Sequence, residues 1–234
     1  MSFLGNVPGL VWSVSTWVVP GILAITLHEA AHGFVAWRLG DDTAMRLGRV
    51  TFNPLRHVDP FGTIIMPGLL LLLRAPFLFG YAKPVPVNFG RLNRPRRDMV
   101  LVAAAGPGIN IALAYAAALF FHALPWIPER AQDWVAENLQ NAIMINLVLA
   151  VFNMLPIPPL DGGRVLTGLL PPSLGRPFGR LERYGMLIVL GLLVLLPMLS
   201  QELGTDLNVL PWLLAEPVDL LFRTIATLAG FGRE

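Results

Sequence analysis

His28-Glu29-Ala30-Ala31-His32 lies within an apolar run from about Gly9 to Leu39. On a helix, histidines four apart share one face and can hold one metal ion. Glu29 cannot easily reach that ion from its own position, but it can reach a water beside it and act as general base. The ordinary reading of such residues is a polar pair facing a neighbouring helix. Three ionisable side chains at membrane depth are expensive, however, and are functional by default.

Two histidines are too few, because a catalytic zinc takes three protein ligands and keeps one position open. The candidates for the third are His57, His122 and the acidic residues. His122 falls at the outer end of its apolar run, far from His28 and His32. Asp161 is the strongest choice. It follows the fourth apolar run, in Asn153-Met154-Leu155-Pro156-Ile157-Pro158-Pro159-Leu160-Asp161-Gly162-Gly163. The first and fourth runs cross in the same direction, which brings Asp161 to the depth of the two histidines. The prolines should end the helix and leave extended backbone, and the two glycines should let the chain turn closely against the metal.

The elements that must position these residues are apolar and long. The 234 residues are 55% hydrophobic and 14% charged, with charges gathered between apolar runs and a mean hydropathy of +0.62. That pattern predicts an integral, multi-pass protein of the cell membrane with a lipid bilayer as its solvent. A net charge of +2 does not suggest a nucleic-acid partner, and the absence of cysteine excludes disulfides and thiolate metal sites. The first run has no basic residue before it, so it does not read as a secretory signal.

The predicted fold is an all-α polytopic membrane protein forming one domain over 1–234. Three core spans fall at about 9–39, 99–124 and 135–155, with further spans at about 184–199 and 209–229. The run at 61–79 is interrupted by Pro67-Gly68 and carries Arg74, expected to snorkel or pack. It is expected to form a re-entrant apolar hairpin, with a sixth plain span as the alternative. Arg46–Phe52 alternates enough to predict a short β element near the cytoplasmic face, able to hold a substrate extended. Asn110 is expected to hydrogen-bond between helices as a structural residue.

Loop charge predicts orientation. Residues 81–98 hold Lys83, Arg91, Arg94, Arg96 and Arg97, and residues 156–183 hold Arg164, Arg176, Arg180 and Arg183. Residues 123–137 and 200–208 are mainly acidic. The basic loops, the C-terminus and the metal-site end of the core are therefore expected on the cytoplasmic side.

His28-Glu29-Ala30-Ala31-His32 together with Leu160-Asp161-Gly162 resembles the site-2 protease family of intramembrane metalloproteases. Asn53-Pro54-Leu55-Arg56-His57-Val58-Asp59-Pro60, Gly80–Asn88 and Ala105-Gly106-Pro107 are similar to stretches of its compact branch. The resemblance implies a three-helix catalytic core and one zinc ion per chain bound by His28, His32 and Asp161. It also implies a water activated by Glu29, and transmembrane protein substrates. Asn153 matches an asparagine expected to hold the substrate or the developing oxyanion. His57 stays open between a hydrogen-bonded loop histidine, the preferred reading, and a contact to substrate or metal site. PDZ and CBS modules carried by many relatives are not in this sequence, nor is a helix that precedes the histidine helix in some. Two alternatives remain, a non-catalytic relative that binds transmembrane clients and, less favoured, a metal or proton transporter. The sequence does not specify an oligomeric state.

Overall fold

The computed structural model describes residues 7–72, 80–196 and 209–232. Among these, three helices are long and apolar enough to cross a membrane: Val11–Arg38, Pro95–Trp126 and Glu129–Asn153. They lie in α1 (Val7–Arg38), α4 (Pro95–Phe120, continued by a 3₁₀ turn to Trp126) and α5 (Glu129–Asn153). The shorter helices are α2 (Thr43–Arg46), α3 (Met66–Leu72), α6 (Asp161–Leu169), α7 (Pro172–Gly179) and α8 (Gly185–Leu190). The last is α9 (Val209–Leu228).

α1, α4 and α5 pack against one another, α6 packs on α4, and α9 lies against α5 and α4. The α4 surface explains the closeness. Ala103, Gly106, Ala114, Ala117 and Ala118 are all buried there, and small residues let helix backbones approach where lipid removes the hydrophobic drive to associate. Pro95 begins α4, and the buried Asp98 carboxylate accepts the Arg94 N–H at 2.7 Å, satisfying a donor that the helix start would leave without a partner. The outward face of α1 exposes Val11, Val14, Val18, Ile22 and Ile25, a surface suited to acyl chains rather than water.

Away from the metal-site end, α1 and α5 are joined by polar contacts. Thr16 Oγ1 donates to Glu137 Oε1 at 3.0 Å, Trp12 Nε1 donates to Glu137 Oε2, and Asn141 Nδ2 donates to the Thr16 carbonyl at 3.0 Å.

Within residues 40–79 the predicted strand is corrected, and the described part of the predicted hairpin shows no turn at Pro67-Gly68. No strand is present among the described residues, and Arg46–Phe52 is the end of α2 followed by a turn and bends. Gly48 sits at φ +62°, which breaks an extended run, and Arg49 N bonds back to Ala44 O at 2.9 Å. Pro67-Gly68 does not reverse the chain either. A π-helical stretch, Pro60–Ile65, runs directly into α3, which contains both residues. Proline and glycine are tolerated within membrane helices when neighbours satisfy the backbone. Arg74 and the rest of 73–79 lie outside the described residues, as does the end of the fifth predicted run beyond residue 196.

The segment 80–88, which is neither helix nor strand, lies against α1. Tyr81 N donates to Gly62 O at 3.1 Å, Lys83 N to His57 O at 2.8 Å, and Asn88 N to Asp41 Oδ2 at 2.6 Å. Arg49 Nη2 donates to Lys83 O at 2.7 Å. A Cβ at Gly33, the residue after His32, would fall 3.0 Å from the Val85 side chain, so this segment runs directly against the histidine helix.

Candidate metal centre

His28 and His32 occupy successive turns on the face of α1 turned toward α4 and α6. Their Nε2 atoms are 3.0 Å apart. Asp161 is the first residue of α6, and its Oδ2 lies 3.2 Å from each Nε2. All three side chains are buried.

The outer nitrogens have separate partners. His28 Nδ1 lies 2.6 Å from Asn110 Oδ1, and His32 Nδ1 lies 2.7 Å from the Val102 carbonyl. Both partners are acceptors, so each Nδ1 carries the proton and each Nε2 presents a lone pair inward. Two lone pairs and a carboxylate oxygen then face one point. Asp161 Oδ2 is buried without a hydrogen-bond donor, a costly arrangement unless a cation completes it. Tetrahedral zinc, with bonds of about 2.0–2.1 Å, sets its ligand atoms roughly 3.3 Å apart. The observed spacings of 3.0–3.2 Å match that requirement. His28, His32 and Asp161 therefore fit a zinc ion as donor set, spacing and burial.

Space for the centre comes from Gly106 of α4. A Cβ at this position would fall 2.5 Å from His28 Nε2. Gly162 and Gly163 serve a different purpose from the one expected. A Cβ on Gly162 would collide with the carbonyls of Met154 and Leu155, and one on Gly163 would come within 2.6 Å of Pro158 N. These glycines let α6 start tight against the loop leaving α5, and that packing delivers Asp161 to the histidines.

Glu29 is half-buried, and its Oε2 accepts the Val85 N–H at 2.7 Å. Asn153 ends α5 and donates through Nδ2 to Leu149 O at 2.9 Å. His57 is buried, with Nε2 3.2 Å from the Thr51 carbonyl and Nδ1 without a partner. His122 Nε2 is 2.7 Å from the Ala229 carbonyl, against α9. Among the described residues, the ligand-spaced group is thus His28, His32 and Asp161, with His57 and His122 outside it.

Two contacts were not foreseen. Asn110, expected only to bridge helices, touches a histidine of the centre. Its position four residues after Gly106 puts both on one face of α4, and that was the available signal. Val85 acts through a main-chain N–H, which leaves no trace in side-chain chemistry.

Comparison with known proteins agrees with this geometry. Residues 126–196 match the model of peptidase family M50. The chain is 40% identical over 198 residues to "Putative zinc metalloprotease YwhC" of Bacillus subtilis, covering 82% of this chain and 85% of that protein. The chain belongs to peptidase family M50, the site-2 proteases. Within M50 it is also 34% identical over 193 residues to "Putative zinc metalloprotease Rip2" of Mycobacterium tuberculosis, covering 82% of this chain and 70% of the relative. The Rip2 of Mycolicibacterium smegmatis is 31% identical over 173 residues, covering 74% and 64%. No solved structure gives a significant match. M50 membership, the apolar helices and the buried ligand group together make this a membrane protein of a zinc metalloprotease family.

Proposed function

We propose that this chain is an intramembrane zinc endopeptidase that cleaves transmembrane segments of membrane proteins, in regulated intramembrane proteolysis. The observation that carries the reading is the buried triad of His28, His32 and Asp161 on membrane-length α1 and adjoining α6, with Glu29 beside it.

His28, His32 and Asp161 would hold the metal. When bound, zinc supplies Lewis acidity, which acidifies a water and polarises the scissile carbonyl. Glu29 takes the proton from the attacking water and passes it to the leaving amine. The Val85 N–H holds Oε2 of Glu29 in place, so Oε1 is the oxygen that handles the proton. Asn153 spends one Nδ2 hydrogen on Leu149 O and keeps the second for a substrate carbonyl or the developing oxyanion. His57 supports the site through its main chain, since its carbonyl anchors Lys83 and with it the segment bearing Val85. Its unpartnered Nδ1 is the atom through which it would touch a substrate.

A substrate helix has its peptide groups already paired within itself, so it must unwind locally before Glu29 can act on it. Water enters from the cytoplasmic side, where the basic loops 81–98 and 156–183 lie, and the C-terminus is on that side too.

The test compares wild type with Glu29→Gln, both purified in detergent. Zinc content is measured on each, and each is incubated with a panel of transmembrane peptides. Both should hold about one zinc per chain, and only wild type should cut. Zinc without any Glu29-dependent cleavage would leave a non-catalytic, client-binding protein and overturn the reading.

A further inference from the structure

The two histidines of the centre are oriented by different means. His32 is held by a main-chain carbonyl, Val102 O, which cannot turn over. His28 is held by an amide side chain, and an amide can flip. Asn110 is fully buried on α4, and its Oδ1 faces His28 Nδ1 at 2.6 Å. Its Nδ2 donates to Asn146 Oδ1 at 2.7 Å and to the Ala24 carbonyl at 3.3 Å. Both Nδ2 hydrogens are therefore spent on acceptors. Flipping the Asn110 amide would set its oxygen against two other oxygens and turn an N–H toward His28.

Asn146 accepts the shorter of the two Asn110 Nδ2 bonds, 2.7 Å against 3.3 Å, and so constrains this choice more than the Ala24 carbonyl does. It is buried on α5, and its own Nδ2 donates to Ala142 O at 2.8 Å, one turn back. That bond turns its oxygen toward Asn110. A directional chain results, from the α5 main chain through Asn146 and Asn110 to His28 Nδ1, crossing three helices. Each amide donates toward α5 and accepts on its other side, and the Ala24 carbonyl reinforces the Asn110 orientation.

We propose that Asn146 is a positioning residue for the metal centre: through Asn110 it sets the His28 tautomer that leaves Nε2 free for zinc. Asn146 touches neither ligand atoms nor substrate. The inference rests on His28 being a ligand, as in the proposed function. It goes further by making zinc affinity depend on the packing of α5 against α4. Outer partners of ligating histidines typically contribute 10–100-fold in metal affinity.

The test is a zinc titration against a competing chelator, with the full chain in detergent, for wild type, Asn146→Leu, Asn146→Asp and His28→Ala. Asn146→Leu removes the acceptor and should weaken zinc by roughly 10–100-fold. Asn146→Asp, held neutral by burial, keeps an O–H for Ala142 O and a carbonyl for Asn110 Nδ2, and should lose clearly less zinc affinity than Asn146→Leu. ¹⁵N imidazole spectra of the metal-free protein give an independent reading. His28 should carry its proton on Nδ1 in wild type and Asn146→Asp, and become a tautomer mixture in Asn146→Leu. If Asn146→Leu does not yield folded protein, Asn146→Ala removes the same oxygen without crowding.

A leucine or alanine variant with wild-type affinity and an unchanged His28 tautomer would overturn the inference, even if thermally weaker. So would an aspartate variant as impaired as the leucine one. His28→Ala separates the two levels. If it too retains zinc, the ligand assignment has failed, whereas loss of zinc there with none in the Asn146 variants condemns the positioning role alone.

Discussion

Val85 donates its main-chain N–H to Glu29 Oε2 across 2.7 Å, joining the segment 80–88 to the residue that follows the first histidine. Pro84 and Pro86 flank Val85 and have no N–H to offer. The one donor in that Pro-Val-Pro stretch is spent on the glutamate. Val85→Pro removes it, and a hydrogen bond to a charged group contributes about 1.5–3 kcal/mol. On that basis kcat on a transmembrane substrate should fall by about 10–150-fold while zinc content stays at wild-type level. Val85→Ala keeps the N–H and should lose far less. Equal losses in the two variants would assign the effect to side-chain packing.

Gly106→Ala tests the space around the centre. Alanine is a better helix former than glycine, so α4 itself gains. The added methyl would sit 2.5 Å from His28 Nε2, and overpacking of this kind typically costs 1–3 kcal/mol, relieved here only by moving a ligand. Chelator titration should find zinc weakened by roughly 10–100-fold, with helicity by circular dichroism unchanged. Wild-type zinc affinity would show that the imidazoles can yield without harm.

Asp161→Asn and Glu29→Gln should separate binding from chemistry. The first lowers both zinc occupancy and rate, because an amide is a poor substitute for the carboxylate at a buried three-ligand site. The second should retain zinc and lose roughly 10²–10⁴-fold in rate, the usual contribution of a general base. Undiminished occupancy in Asp161→Asn would mean that another residue supplies the third ligand.

Asp41 ties the end of α1 to the segment carrying Val85. Burial alone would raise its carboxyl, but hydrogen bonds from Thr43 and the Asn88 N–H, with the Arg91 charge, hold it below the ordinary carboxylate value. A carboxyl depressed by folding contributes stability that is full above its unfolded pKa of about 3.9 and is lost as pH falls through the lower folded value. The thermal midpoint of wild type in detergent should therefore drop on acidification below about pH 4. Asp41→Asn should be less stable at neutral pH and flatter with pH. A variant with the wild-type slope would exclude Asp41 as the group responsible.

The grouping of His28, His32 and Asp161 was legible because its determinants are local. Histidines four apart share a helix face wherever the helix sits, and Asp161, following the fourth apolar run, lies 3.2 Å from both. The three core spans were legible from hydropathy, with ends displaced by a few residues: 95 rather than 99 for the second, 129 rather than 135 for the third. Residues 40–88 were not legible, since they are held by contacts that periodicity does not encode. Arg49 reads as one position of a short alternating run, yet it is buried and grips Lys83 O. Asn110 reads only as a bridge between helices and nothing in the sequence marks Asn146, because their link to His28 exists only once α1, α4 and α5 are in register.

The most direct test of the account is to place wild-type protein in liposomes with a single-pass substrate, in ¹⁸O-labelled water, and to map the products by mass spectrometry. The account predicts a cut within the substrate's hydrophobic segment, with one ¹⁸O in the new carboxylate and no cut by Glu29→Gln. Cleavage confined to residues outside the bilayer, or intramembrane cleavage that survives Glu29→Gln, would contradict it.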